Sequence, residues 1–197
     1  LKPIVSGPAQ ALLRLLPILG VCALLNSCMT TAQPSAADEY LEVLRSRPGA
    51  NLQGSAEQKA LAAFRGFLTD LRGEETRKRT GEVYAADAYF NDTLKTKIGA
   101  DAIRTYFDAT ADNTRAIRVV IDDVVRSGSD YYLRWTMEIE FAKFHRGKVF
   151  RTVGMTHARF NESGRVILHQ DYWDSTAGFF EHVPVLGAGI RHIKSLL

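Results

Sequence analysis

Tyr131 to Phe144 reads YYLRWTMEIEFAKF, and within it Leu133, Trp135, Met137, Ile139 and Phe141 alternate with Arg134, Thr136, Glu138 and Glu140. A period of two with one apolar and one polar side predicts a strand with one face buried. Segments of the same period flank it: AIRVVIDDVVR from Ala116, KVFRTVGMTHARF from Lys148 and RVILHQDYWD from Arg165. Ser127-Gly128-Ser129, Arg146-Gly147 and Asn161–Gly164 separate them as turns, so four antiparallel strands are expected.

Upstream the period changes to that of a helix. Ser55 and Gln58 have capping-box spacing, and Leu61, Phe64, Phe67, Leu68 and Leu71 recur behind them, predicting a helix over 56–71. EETRKRTGEVYAADAY (74–89) predicts a second, mostly polar helix, ending near a short strand at Tyr89–Asn91. GADAIRTYFDAT, opening at Gly99, predicts a third with Ile103, Tyr106 and Phe107 on its apolar side. FFEHVPVLGAGIRHIKSLL at the end is expected to be helical after Pro184. Helices followed by antiparallel strands make an α+β plan.

Pairing arithmetic then decides what the buried face carries. A turn at Arg146-Gly147 sets Phe141 opposite Thr152 and Met137 opposite Thr156. A turn at Asn161–Gly164 sets Thr156 opposite His169, Gly154 opposite Asp171 and Thr152 opposite Trp173. Direct partners share a face, so His169, Asp171 and Trp173 lie with Trp135, Met137 and Phe141 on the apolar side. A carboxylate there costs several kcal/mol unless it is hydrogen-bonded or paired. Thr152, Gly154 and Thr156 are small enough to leave volume in front of it, so a pocket is expected. The arithmetic fails if a β-bulge shifts the register by one residue. Val153, Met155, Leu168 and Tyr172 fall on the opposite face, where a second subunit or the C-terminal segment is expected to cover them.

The 197 residues are 46% hydrophobic and 24% charged, globular composition for one domain. The net charge of +3 includes Lys2 and Arg14, and no acid precedes Asp38. Residues 28–197 carry 23 bases against 22 acids, which makes no case for nucleic acid. The dispersed histidines give no metal-ligand spacing, and no phosphate-cradling glycine motif occurs, so no metal or cofactor is expected.

LLRLLPILGVCALLNS (Leu12–Ser27) precedes Cys28 and resembles a bacterial lipoprotein signal. Its apolar part, Leu15–Leu25, is too short to span ~30 Å of hydrocarbon as a helix. Leu25-Asn26-Ser27-Cys28 looks like a lipobox, with Asn26 in place of a smaller residue. The reading is a signal peptide over 1–27, lipidation at Cys28, a tether over 28–54 and a domain over 55–197. With Cys22 inside the signal and Cys28 acylated, the domain holds no further thiol. Met29 after the cysteine resembles the outer-membrane sorting pattern, which implies an envelope protein facing the periplasm. The alternative is a cytoplasmic protein starting at Met29.

VYAADAYFNDTL, GADAIRTYF, THARFNESGRVILHQDYWD and VPVLGAGIRHIKSLL, in that order, resemble the nuclear transport factor 2-like superfamily and, within it, the SnoaL-like polyketide-cyclase branch. The resemblance runs from about Ser55 to the C-terminus. It implies a cone-shaped domain in which helices fold over a strongly curved sheet and enclose a pocket, often as a homodimer. Asp92 in YFND matches the position of the carboxylate base in the ketosteroid isomerase branch. Thr156 departs from that branch, which has a protonated aspartate there. Without that oxyanion hole the isomerase reaction loses its largest electrostatic contribution. Asp171 sits where the cyclase branch carries a last-strand acid, and His169 adds a proton-transfer group two residues away.

Two functions are expected of such a pocket. One is cofactor-free acid/base catalysis by Asp92, His169 and Asp171 on a small apolar molecule held by Trp135, Met137, Phe141, Thr156 and Trp173, as in cyclisation, isomerisation or dehydration. The other is a non-catalytic ligand-binding or dimerisation domain, in which His169 and Asp171 form a buried hydrogen-bonded pair that fixes the fold.

Overall fold

The computed structural model describes residues 35–197, and Ala36–Leu197 form one compact unit. The 1–27 segment and Cys28 lie outside the described residues. Helices α1 (Ala36–Ser46), α2 (Gly54–Thr69), α3 (Glu74–Lys78) and α4 (Thr80–Val83) lead into strands β1 (Tyr84–Asn91) and β2 (Thr96–Ile98). Helix α5 (Ala100–Asn113) precedes β3 (Thr114–Ser127), β4 (Asp130–Phe141), β5 (Val149–Phe160) and β6 (Val166–Trp173). Two short turns of helix, α6 (Ser175–Gly178) and a 3-10 turn (Phe180–His182), and then α7 (Leu186–Ser195) complete the chain. The sheet runs β2-β1-β6-β5-β4-β3, all antiparallel except the β1–β6 pair, and is curled without closing. The α+β class and the helix-over-curved-sheet architecture are those expected.

Helix α2 packs Phe64, Phe67 and Leu68 against Tyr84, Phe90, Leu133 and Phe160 on the concave side of the sheet, and α5 adds Ile103 and Phe107. Burial of one large apolar side chain contributes about 1.5–3 kcal/mol, so the dozen or so apolar side chains here dominate the fold.

Several expectations are corrected. The 74–89 segment is not one helix: it breaks after Val83, and YAADAYFN is a strand. Its alanines favour helix locally, yet pairing with β6 buries Tyr84, Ala88, Tyr89 and Phe90, and that tertiary gain outweighs propensity. Ser55 does not cap α2; Gln53 occupies the N-cap position without a side-chain hydrogen bond. The segment EYLEVLRSR, placed in the tether, is helical up to Ser46 as part of α1, which lies on the convex face of the sheet. There Val43 packs with Tyr89 and Leu168. Arg159 donates to the carbonyls of Leu44 (2.9 Å) and Arg47 (3.0 Å), satisfying the helix C-terminus. Thus α1, and not the C-terminal segment, covers Leu168; Val153 and Met155 stay 66% and 40% exposed.

The register differs from the arithmetic while the faces do not. The β4–β5 loop is longer than a two-residue turn, so Met137 pairs with Thr152 and Leu133 with Thr156. On β6 Thr156 pairs with Asp171 and Gly154 with Trp173. Here a one-residue irregularity between Arg159 and Phe160 adds to a one-residue offset at the turn. The offsets total four and two residues. Both are even, so every side chain keeps the face expected of it.

Candidate functional site

Between the concave face and α5 lies a cavity of about 350 Å³, a volume suited to a small organic molecule. Trp135, Met137 and Ile139 of β4, Thr152 and Thr156 of β5, and His169, Asp171 and Trp173 of β6 form its floor. Phe90, Tyr106 and Phe107 wall one side, and Phe141, Phe150 and Phe179 stand at the far end. The structure therefore brings all the expected site residues among the described ones to one cavity, with Asp92 also on its wall.

At the polar end, Thr156 donates its hydroxyl to Asp171 Oδ1 at 2.5 Å and accepts from the indole N–H of Trp135 at 2.9 Å. His169 Nε2 meets the same carboxylate oxygen at 2.9 Å, and its Nδ1 lies 2.8 Å from the Tyr84 hydroxyl. Tyr84 is fully buried, and burial together with the charge of Asp171 raises its phenol well above the ordinary value. It keeps its proton and donates to Nδ1, which places the imidazole proton on Nε2, aimed at Asp171. In that tautomer the donors run from Tyr84 to His169 to Asp171.

The packing around this chain locks it. The His169 ring is edge-on to Phe64 (5.4 Å) and Phe90 (4.8 Å) and parallel to Tyr84. Gly154 makes the Trp135 position available: a Cβ there would come within 2.4 Å of the indole Cη2 and Cζ2. Both donors converge on Oδ1. Among the described residues no hydrogen bond reaches Oδ2, while the Asp171 side chain is 16% exposed on the cavity wall.

Asp92 is differently placed. Its Oδ1 accepts the backbone N–H groups of Leu94 (2.9 Å) and Lys95 (2.7 Å), and its Oδ2 accepts the Tyr106 hydroxyl. Burial first, and the charge of Asp92 second, raise the Tyr106 phenol, so it too stays a donor. Both carboxylate oxygens of Asp92 are engaged in holding the β1–β2 turn against α5. The Trp173 indole N–H donates to the Asp92 carbonyl at 2.7 Å and ties β6 to the same turn.

Tyr84 and Tyr106 went unnoticed in the sequence. Tyr84 was assigned to a polar helix, and Tyr106 was counted only as an apolar position. No local pattern marks a tyrosine whose partner lies 85 residues away. Among the described residues no group of His, Cys, Asp or Glu is arranged to hold a metal ion.

The fold recurs in solved structures of low identity. A nuclear transport factor 2-like protein of unknown function from Exiguobacterium sp. 255-15 is 19% identical, with a TM-score of 0.52, covering 58% of this chain and 98% of its own. An epoxide hydrolase from M. tuberculosis, described as LEH-like, is 15% identical with a TM-score of 0.53, covering 72% of this chain and 98% of its own. A protein with a ketosteroid isomerase-like fold from Catenulispora acidiphila DSM 44928, in complex with trimethylamine, is 17% identical with a TM-score of 0.52, covering 59% and 88%. These likenesses establish the fold alone. No curated protein matches the chain. The profile of the SnoaL-like domain, in contrast, matches residues 64–169, from the first buried phenylalanine of α2 to the histidine beside Asp171. With more than half its length matched, this chain belongs to the SnoaL-like domain family.

Proposed function

We propose that the cavity binds a small, mainly apolar molecule and that Asp171 exchanges a proton with it, in a cofactor-free reaction of the cyclisation, isomerisation or dehydration type. The observation that carries this is the asymmetry of Asp171: Oδ1 is held by Thr156 and His169, while Oδ2 has no hydrogen-bond partner among the described residues and the side chain lines an apolar cavity. Asp92, in contrast, has both oxygens engaged. Asp171 is the group that takes or returns the proton. Thr156, His169, Tyr84 and Trp135 are positioning residues that hold the carboxylate plane and keep Oδ2 directed at the ligand. With both oxygens engaged, Asp92 shapes the cavity wall and is not the base.

The test starts from native mass spectrometry of the purified protein to identify what the cavity retains, followed by turnover of that molecule and its precursors. Asp171→Asn should lower kcat at saturating substrate by at least a hundredfold. Wild-type kcat in that variant, with the fold intact, refutes the role. If the cavity only binds, no precursor is turned over by the wild-type protein and the substitution changes thermal stability alone.

We propose further that the protein is held at the bacterial envelope, facing the periplasm, by acylation of Cys28, and that two copies pair. The apolar run from Leu15 to Leu25 ahead of Cys28 supports the first, and exposed Val153, Met155 and Val120 on the convex face support the second. Two or more acyl chains would make the attachment stable. Cys28→Ala should abolish the lipid mass increment and release the protein from membranes; unchanged fractionation refutes the anchor. A monomer by light scattering refutes the pairing.

A further inference from the structure

We propose that the ligand of this cavity carries a positive charge: an alkyl or aryl ammonium whose cationic group sits against Asp171 and whose carbon skeleton packs on the aromatic walls. This deepens the reading of the cavity as a small-molecule site and rests on it.

The argument begins with the charges. Asp171 and Asp92 both border the cavity, and among the described residues no lysine or arginine side chain does. His169 is engaged on both ring nitrogens, and Tyr84 and Tyr106 both donate, so among the described residues no lysine, arginine or further carboxylate joins the two aspartates at the polar end. Asp92 is covered by three donors of its own. Among the described residues the Asp171 side chain has only Thr156 and His169, both on Oδ1. An anionic ligand would meet like charge in a low-dielectric space. A neutral apolar ligand would shut water away from Oδ2 and supply nothing in its place. A cation does the opposite. The fold already holds the carboxylate in a fixed geometry, so the ligand need only shed its own hydration, which is weak for a substituted ammonium.

The walls suit the same class. Phe90, Tyr106, Trp135 and Trp173 stand around the carboxylate end, and their ring faces carry the negative side of an aromatic quadrupole. At the far end Phe150 already serves a cation from outside, with the Lys148 ammonium 5.2 Å from its ring centroid. For an ammonium that bears hydrogen, the N–H points at Oδ2, the oxygen proposed to move a proton.

The test uses three probes on the full chain by calorimetry near pH 8: benzyltrimethylammonium, its neutral isostere neopentylbenzene, and phenylacetate. The cation should bind at least tenfold more tightly than the isostere, and phenylacetate more weakly than either. In Asp171→Asn the preference for the cation should vanish, the cation binding at least tenfold more weakly than to the wild type and the isostere no more weakly, because the buried charge it had to desolvate is gone. Equal or tighter binding of the isostere or the anion to the wild-type protein overturns the charge preference and leaves the small-molecule site standing. Failure of all three to bind overturns the preference and counts equally against the site. The wild-type comparison decides the matter even if the Asn variant does not fold.

Discussion

Gly154 faces Trp135 directly across the β4–β5 ladder, and an alanine there would put its methyl 2.4 Å from two carbons of the indole. Real Cβ contacts do not occur at that distance, so in Gly154→Ala the ring must swing away from β5. Overpacking of this kind costs about 1–3 kcal/mol. The swing also breaks the Trp135 to Thr156 hydrogen bond, worth about 1 kcal/mol. The sum, about 2–4 kcal/mol, lowers Tm by roughly 4–16 °C at the 2–4 °C per kcal/mol expected of a domain of this size. The displaced indole has the cavity to move into, so ligand affinity should fall in step. Thermal unfolding followed by circular dichroism reads the first effect, and tryptophan emission reads the second, because Trp135 loses a buried polar partner. If Gly154→Ala unfolds within 1 °C of wild type and its emission is unchanged, the indole is not held against β5 and the account of how Asp171 is oriented falls.

Tyr84→Phe removes the one donor to His169 Nδ1 among the described residues and leaves a buried acceptor without it, at a cost of about 1–3 kcal/mol in urea unfolding. A change below about 0.5 kcal/mol would mean the imidazole is held by its ring contacts alone. The convex face predicts a pH effect. Burial lowers the pKa of His157 below its ordinary value, although Asp130, 2.6 Å away, opposes this. Because the unfolded chain then binds the proton more readily, stability is complete above about pH 6.5 and declines as the pH falls below it. His157→Gln should flatten the slope between pH 6.5 and 5, and an unaltered slope would assign it to other groups. Since Nδ1 of His157 also meets the Tyr40 hydroxyl at 2.8 Å, the same decline should appear as faster hydrogen exchange in α1.

What was legible in the sequence was whatever repeats locally. The alternation in Tyr131–Phe141 and its three neighbouring strands set which residues face inward, and the 3.6-residue recurrence of Leu61, Phe64, Phe67 and Leu68 set the covering helix. Parity is forgiving: a register misjudged by two or four residues leaves each side chain on its own face, which is why Asp171, Trp135 and Trp173 were placed toward one cavity although none of the expected cross-strand partners was the observed one. The EYLEVLRSR patch shows the reverse case. Its place in the stretch read as a tether gives no sign of its docking on the convex face, because nothing local in Tyr40, Val43 and Leu44 points to their partners on β1, β5 and β6.

The amino-acid sequence by itself determined the α+β class, the inward set of strand residues and the candidacy of His169 and Asp171, since each follows from periods of two and 3.6 within a dozen residues. Only the tertiary structure decided that YAADAYFN is a strand parallel to β6, that Tyr84 therefore reaches His169, and that Asp92 has both oxygens engaged while, among the described residues, Asp171 has partners on one. Those outcomes depend on contacts between residues far apart in the chain. Their free energy comes from burying surface and satisfying polar groups that no local pattern contains, and at Tyr84 that gain is large enough to overrule the helical preference of the residues around it.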